Sequence, residues 1–198
     1  MEHTLEFLRK IHLVCKNFKL QLKSCGCCQS IYSAFPKGYY NYIHNEEYKD
    51  KNPIFVGVLK GVVMFFADVV RNVTIPCEMD FMCISSYGGT STTGNIMVKK
   101  DVSADIKGRH VVILEDIYDT GNSLEFVHKY LLEKQPASLK ICTLLDKPER
   151  RRPGVTLQPE YVGFTVPNEF VVGYGLDYDE HYRNLPYIGV LKPEVYEK

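Results

Sequence analysis

Short apolar runs that alternate with helical patterns constrain the fold of this chain more than any other feature. The runs at residues 54–59, 110–114 and 139–145 have the length of strands, and helical patterns at residues 62–72 and 124–134 follow the first two. Strands that are apolar on both faces are typical of a parallel sheet covered by helices on both sides. We therefore predict an α/β fold built on a parallel, twisted sheet, with its ligand site beyond the carboxyl ends of the strands.

The segments outside this core give weaker signals. Residues 79–101 have the pattern of a strand that runs into a polar loop rich in Gly, Ser and Thr, which could act as a mobile lid. Short β-type runs at residues 161–166, 170–174 and 187–191 suggest a smaller appended cap. Residues 5–22 could form a helix by periodicity, whereas the rest of the first fifty residues has no clean period and supports no prediction.

Length and charge limit the class of protein. The 198 residues, 45% of them hydrophobic, suit one globular domain. The 24 Lys and Arg balance the 24 Asp and Glu, so no net field favours nucleic acid or an anionic membrane surface. Neither a membrane span, a secretory leader nor a peroxisomal tail is evident, and we expect a soluble, cytoplasmic protein.

The cysteines predict free thiols. There are seven of them, an odd number, with Cys25, Cys27 and Cys28 clustered and the others scattered, which argues against a disulfide framework. A zinc site at the cluster is the alternative, but a second Cys or His pair at suitable spacing is missing from the sequence.

The chemistry is concentrated in residues 111–124, VVILEDIYDTGNSL. An apolar strand here delivers two adjacent carboxylates, Glu115 and Asp116, to its carboxyl end. Such a pair can accept hydrogen bonds from sugar hydroxyls or hold a hydrated Mg²⁺. A third carboxylate, Asp119, follows in the turn that opens the next helix.

That turn has the composition of a phosphate site. The start of a helix presents unpaired backbone N–H groups, and the hydroxyls of Thr120 and Ser123 and the freedom of Gly121 add to them. A plain helix cap at Asp119 and Thr120, with a solvated acidic strand end, is the alternative; it explains each feature singly but not their combination. P-loop and dinucleotide-binding fingerprints are absent from the sequence. A sugar phosphate therefore fits this segment best.

Residues 113–124 resemble the signature of type I phosphoribosyltransferases that binds phosphoribosyl pyrophosphate (PRPP). Four more segments are similar, in the expected order, to parts of the hypoxanthine-guanine branch of that family. Residues 56–70 resemble its pyrophosphate loop and next helix, residues 85–96 its mobile loop, residues 144–148 its purine-contacting strand end, and residues 160–191 its hood. The first fifty residues depart from the family pattern.

The resemblance implies a fold and an activity. The fold is one type I phosphoribosyltransferase domain over residues 1–198, with a core at about 53–150, a mobile β-loop, and a small hood formed by about 151–198 and part of the N-terminus. The activity, which belongs to purine salvage, transfers the 5-phosphoribosyl group of PRPP to N9 of hypoxanthine or guanine, with xanthine left open. IMP or GMP forms and pyrophosphate leaves, with Mg²⁺ as cofactor, in a homodimer or homotetramer.

The resemblance also implies site residues, with Asp119 as the general base for the purine. PRPP and its 5-phosphate would be bound by Glu115, Asp116, Asp119, Thr120, Gly121, Asn122 and Ser123. Pyrophosphate would be bound by Leu59, Lys60, Gly61 and Arg183, with the peptide bond before Lys60 often cis. The purine would be bound by Ile117, Lys147, Phe170, Val171, Leu176 and Asp177. The closing loop would include Ser86 and Tyr87, and Mg²⁺ would be held by Glu115, Asp116 and Asp177.

Two alternative functions stay open, together with plain structural roles for two of the residues. A regulatory protein of the same fold would bind PRPP or a nucleotide without turnover. Another transferase of the fold would use adenine, orotate, uracil or xanthine; Lys147 favours a 6-oxopurine, because its ammonium is a donor for an exocyclic oxygen. Taken singly, Lys60 could be a surface residue and Phe170 an ordinary core residue.

Overall fold

Two sheets organise the chain in the computed structural model, which describes residues 28–32, 45–86 and 96–197. The strands are β1 (Cys28–Tyr32), β2 (Ile54–Leu59), β3 (Glu78–Ser86), β4 (Ile96–Lys100), β5 (His110–Tyr118), β6 (Ser138–Asp146), β7 (Tyr161–Thr165), β8 (Val171–Val172) and β9 (Ile188–Leu191). The helices are α1 (Asn45–Tyr48), α2 (Val63–Asn72), α3 (Asn122–Leu132) and α4 (Pro193–Tyr196), with a 3-10 turn at Pro148–Arg150.

The larger sheet has six strands in the order β4-β3-β2-β5-β6-β7. Every neighbouring pair is parallel except β3 and β4, which are antiparallel. The prediction of a mostly parallel sheet is therefore confirmed. Since β2 and β5 lie side by side in parallel, the turns that follow them, residues 60–62 and 119–121, meet at the same edge of the sheet.

Helices cover both faces of this sheet, as predicted. On one face, Phe55 and Val112 pack with α2, which buries Phe65, Phe66 and Val69. On the other face, Ile54 and Ile113 pack with α3, which buries Leu124, Val127 and Leu131. Adjacent strand residues point to opposite faces, so each face receives alternate side chains. Each large apolar side chain buried in this way contributes about 1.5–3 kcal/mol.

The smaller sheet is antiparallel, in the order β1-β9-β8, and forms the hood. Strand β1 lies in the part of the chain for which we make no prediction. Val171, Tyr174 and Ile188 of the hood belong to the same core cluster as Phe65 of α2, and the Tyr174 hydroxyl donates to Asp68 on that helix. The hood therefore rests on the α2 side of the large sheet.

One prediction about the cap is wrong. The run at residues 161–166 does not belong to the hood but forms β7, which pairs in parallel with β6 at the edge of the large sheet. Of the run at residues 170–174 only β8 is a strand, whereas the run at 187–191 closely matches β9.

The other elements largely agree with prediction. Helix α3 begins and ends two residues before the predicted bounds. Cys77, Cys83 and Cys142 carry free thiols, which agrees with the prediction for that part of the chain. The predicted helix at residues 5–22, the cluster members Cys25 and Cys27, and residues 87–95 of the predicted lid lie outside the described residues. Within the described ranges, no helix is both long and apolar enough to span a membrane.

Candidate active site

The acidic pair lies inside strand β5 and not beyond it. We predicted that this strand ends at residue 114, but it continues to Tyr118, so Glu115 and Asp116 are only 9% exposed each. The strand continues because β6 pairs with it along this stretch, where Tyr118 lies opposite Asp146. A solvated strand end, the alternative for these carboxylates, is excluded by their burial.

The two buried carboxyl groups form a coupled pair. Burial raises the pKa of Glu115 well above its ordinary value, and the neighbouring charge of Asp116 adds to this effect. Burial also raises the pKa of Asp116, although the hydrogen bond with Glu115 and the positive charge of Arg183 oppose it. Glu115 Oε2 is buried without a hydrogen-bond partner among the described residues. The pair is thus short of donors or cations, which a ligand with hydroxyl groups or a metal ion would supply.

The turn after β5 is open to a ligand. Gly121 is the N-cap of α3, with φ at +94° and no side-chain capping bond, so the plain cap at Asp119 and Thr120 is excluded. The first backbone bond of the helix runs from Glu125 N–H to Gly121 O at 2.9 Å, and Asn122 and Ser123 are exposed. The N–H groups of this first turn lie just beyond the carboxyl end of β5, where the start of a helix can bind an anion.

Lys147 lies next to this turn. Its backbone N–H donates to Tyr118 O at 3.0 Å, and its side chain is buried, with 6% of the residue exposed. Burial lowers the pKa of Lys147, while the negative charges of Asp119 and Glu169 oppose that shift. The Asp119 carboxylate lies 3.3 Å from Arg150 Nε.

Four of the predicted purine-binding residues fall into two groups by their exposure. Val171 and Leu176 are buried in the main core cluster, and Ile117 packs against it partly buried. Phe170 is 37% exposed, so ordinary core packing does not account for it. Its ring stacks on Tyr196 with centroids 5.2 Å apart and meets the edge of Tyr178 at 5.5 Å.

Residues 59–61, which are predicted to bind pyrophosphate, lie between the acidic pair and the hood. The peptide bond from Leu59 to Lys60 is cis, as the resemblance implies. A Cβ atom on Gly61 would lie 1.7 Å from Asp116 Oδ2, and one on Gly175 would lie 1.8 Å from Gly61 O. Backbone therefore packs directly between the carboxylate and the hood, at a distance that only glycine allows.

Two cations of this region are paired with hood carboxylates. Lys60 Nζ donates to Glu180 Oε2 at 3.0 Å, and Arg183 Nη2 lies 2.9 Å from Asp177 Oδ1. Arg183 Nη1 also donates to Gly175 O at 2.9 Å. The side chain of Ser86 and all of Tyr87 lie outside the description. Among the described residues, no group of three or more His, Cys, Asp or Glu is arranged to hold a metal ion.

Comparison with known proteins identifies the family. The sequence pattern of the phosphoribosyl transferase domain matches residues 38–179. The chain belongs to the phosphoribosyltransferase family.

Similar members of this phosphoribosyltransferase family are named for the purine bases that they use. The hypoxanthine-guanine phosphoribosyltransferase of Streptococcus pneumoniae strain R6 is 57% identical over 152 residues, which are 76% of this chain and 83% of that protein. The protein of the same name from Lactococcus lactis is 54% identical over 157 residues, 79% of this chain and 84% of that one.

Solved phosphoribosyltransferase structures agree with the fold. A hypoxanthine phosphoribosyltransferase from Staphylococcus aureus has a TM-score of 0.74 at 44% identity and covers 82% of this chain and 89% of its own. A point mutant of the hypoxanthine phosphoribosyltransferase from Trypanosoma cruzi, complexed with the product IMP, has a TM-score of 0.78 at 38% identity and covers 88% of this chain and 96% of its own. The predicted type I fold is confirmed.

Sequence reasoning missed several residues at this site. Arg150 and Arg151 contact Asp119, and Glu180 contacts both Lys60 and Arg183. The run of three arginines at residues 150–152, directly after the strand that carries Lys147, was a visible signal for the first two. Glu180 had no such signal, because its partners come from distant parts of the chain.

Proposed function

We propose that this phosphoribosyltransferase acts in purine salvage and joins the 5-phosphoribosyl group of PRPP to N9 of hypoxanthine or guanine. IMP or GMP forms and pyrophosphate is released. The names of the similar bacterial proteins support the choice of bases. The observation that carries the proposal is that buried Lys147 bonds through its backbone to Tyr118, directly before Asp119 and the helix start that can bind a phosphate.

The proposed reaction exchanges one bond at the ribose anomeric carbon for another. The bond from C1′ to the pyrophosphate oxygen breaks and takes its electron pair with the leaving group, while the bond from C1′ to purine N9 forms. The proton of the imidazole ring passes to the carboxylate of Asp119, the general base. Groups of this kind typically contribute about 10²–10⁴ in rate when they are placed within hydrogen-bond reach.

The 5-phosphate and the ribose would lie on two consecutive parts of the chain. Residues 119–123 would bind the phosphate through Thr120, Gly121, Asn122 and Ser123, using N–H groups and hydroxyls of the open helix start. Glu115 and Asp116 would accept the ribose hydroxyls, which are donors that the buried pair lacks. The order of the two segments, strand and then turn, thus matches the order of the ribose and its phosphate in a ribose 5-phosphate.

Selection of 6-oxopurines would depend on Lys147. A buried ammonium without a matching acceptor is costly, and the oxygen at C6 of hypoxanthine or guanine is such an acceptor. The amino group of adenine would instead place its N–H donors against the Lys147 ammonium, which is also a donor. Phe170, whose ring is partly exposed, would stack on the base, with Ile117, Val171, Leu176 and Asp177 around its edge.

The cations and the metal would serve the leaving group. Lys60, Arg183 and the backbone of residues 59–61 would bind pyrophosphate, with Ser86 and Tyr87 in the loop that covers it. The buried carboxyl pair, with its raised pKa and an unpartnered Glu115 oxygen, fits a divalent cation, because a cation would stabilise its ionised form. Glu115 and Asp116 would hold Mg²⁺, and Asp177, which pairs with Arg183, would be a further ligand. Mg²⁺ would supply positive charge for the departing oxygens.

Assembly and location are part of the proposal. The family resemblance implies a homodimer or homotetramer in the cytoplasm, and size-exclusion chromatography with light scattering measures the assembly directly.

The test is turnover of purified protein. PRPP and Mg²⁺ are mixed with hypoxanthine, guanine, xanthine or adenine in separate reactions, and nucleotide formation is followed by ultraviolet absorbance. We expect IMP and GMP with little or no AMP. Turnover of adenine alone would contradict the role of Lys147. Tight PRPP binding with no turnover of any base would contradict the proposal and support a regulatory protein of the same fold.

A further inference from the structure

Arg151 lies between the two parts of the site that would act on the purine. Its Nη1 donates to the backbone oxygen of Asp119 at 2.5 Å, and its Nη2 forms an ion pair with the carboxylate of Asp146. The guanidinium lies 3.2 Å from the centroid of the Tyr118 ring. Only 13% of the Arg151 side chain is exposed, so solvent screens these interactions weakly.

These contacts join two separate segments of the chain. Asp119 begins the turn after β5, whereas Asp146 ends β6 and immediately precedes Lys147. The stem of Arg151 also approaches the turn, since its Cδ lies 3.4 Å from the position that a Cβ on Gly121 would occupy. One side chain thus contacts the turn that carries the proposed general base and the strand end that carries the proposed purine ligand.

Arginine is suited to this position for three physical reasons. Its planar guanidinium can stack on an aromatic ring while its edge donates in two directions. It stays charged at any pH the protein tolerates, so burial does not neutralise it. Tyr118, against which it stacks, is 1% exposed and donates its hydroxyl to Leu157 O at 2.8 Å, which gives the stack a rigid base.

We propose that Arg151 is a positioning residue that fixes Asp119 relative to Lys147, so that the proton acceptor and the lysine that binds the C6 oxygen contact the same purine. This inference rests on the proposed function for its consequence in turnover. Its structural content, that Arg151 orders the turn at residues 119–123, is independent of that function.

The same run of arginines provides a matched control. Arg152 follows directly in sequence, and its side chain is 55% exposed and pairs with Glu125 on the surface of α3 at 3.0 Å. Its backbone N–H donates to Thr120 O at 3.0 Å, a bond that a side-chain substitution leaves in place. Arg150 is unsuitable as a control because it contacts the Asp119 carboxylate.

The first measurement is hydrogen exchange of the turn amides. In Arg151→Met, we expect the peptide that spans residues 117–124 to exchange about tenfold faster or more, whereas peptides of the large sheet and of Arg152→Met keep wild-type rates. If Arg151→Met fails to fold, Arg151→Lys replaces it; a lysine can reach Asp146 but cannot also stack and bind Asp119 O. Unchanged exchange of this peptide in the folded Arg151 variants would overturn the proposal.

The second measurement is a double-mutant cycle in kcat. A shift of about 1 Å at a reacting group can cost about 10² in rate, so we expect a loss of that order in Arg151→Met and little change in Arg152→Met. In an Asp119→Asn background, Arg151→Met should lower the remaining kcat by no more than about twofold, because the group it positions is already gone. Additive losses would show that Arg151 acts otherwise. An inactive wild type would refute the proposed function, and hydrogen exchange would still decide the role of Arg151.

Discussion

Substitution of Gly61 by alanine tests the contact on which the pyrophosphate side of the site depends. A Cβ at this position would lie 1.7 Å from Asp116 Oδ2, whereas real Cβ contacts essentially never fall under 3.0 Å. One of the two groups must therefore move by about 1.3 Å. The φ angle of Gly61 is outside the left-handed region, so the collision alone accounts for the effect.

The cost of Gly61→Ala follows from the burial of the group it strikes. Overpacking a tight interior typically costs about 1–3 kcal/mol. For a chain of this length that corresponds to a fall in Tm of about 2–12 °C. The displaced carboxylate belongs to the proposed ribose site, and a misplacement of about 1 Å can cost about 10² in rate, so kcat/KM for PRPP should fall by at least that order.

Urea unfolding and initial rates at varied PRPP measure the two effects separately. Gly57→Ala is the matched control, because a Cβ there would lie 2.7 Å from the Phe66 ring, away from the carboxyl pair. It should lose stability but keep its KM for PRPP. Adding Asp116→Ala to Gly61→Ala should restore part of the stability and none of the activity. Wild-type stability together with wild-type kcat/KM in Gly61→Ala would refute the reasoning.

Three further substitutions separate catalysis, base selection and stacking. Asp119→Asn should fold normally and lose about 10²–10⁴ in kcat, measured by single-turnover formation of IMP. Lys147→Met should lose turnover of hypoxanthine and gain about 1 kcal/mol of stability at pH 7, because it removes a buried charge. Since burial lowers the pKa of Lys147, that gain should shrink as the pH rises from the lowered pKa to above 10.5, where folded and unfolded lysines are both neutral. Paired urea melts at several pH values test this. Tyr196→Ala removes the stacking partner of Phe170, and the KM for hypoxanthine should rise about 2- to 10-fold.

The parallel core was predictable because its signals are local. The apolar runs in β2, β5 and β6 are buried on both faces, and only a sheet covered by helices accommodates such strands. The length of β5 was not predictable from polarity. Glu115 and Asp116 ended the apolar run, yet pairing with β6 continues through Tyr118 and buries both carboxylates. Tertiary pairing overrode the polarity of the two side chains.

The cap was harder to predict because similar β-type runs belong to different sheets. Tyr161–Thr165 has no local feature that distinguishes it from Ile188–Leu191, but the first pairs with β6 and the second with β1 and β8. The choice depends on which strand edge is free, which is a property of the assembled fold. Strand β1 was not predicted, because its part of the chain has no clean hydrophobic period.

The site residues also divide into those with a local sequence signal and those brought together only by the fold. The turn at residues 119–123 could be predicted, since acid, hydroxyl and glycine side chains lie together in sequence directly after a strand. Other contacts join distant segments. Lys60 and Glu180 are 120 residues apart in the sequence, and Arg151 and Asp119 are 32 residues apart. Such pairs become visible only when the sheet brings its strand ends to one edge.

A crystal structure of the protein with bound GMP tests the central claim most directly. We expect the 5-phosphate within hydrogen-bond distance of the N–H groups and hydroxyls of residues 120–123, the ribose hydroxyls at Glu115 and Asp116, and the guanine oxygen at Lys147 Nζ. The imidazole edge of the base should face Asp119. A phosphate bound elsewhere, or a guanine oxygen that does not reach Lys147, would contradict the account.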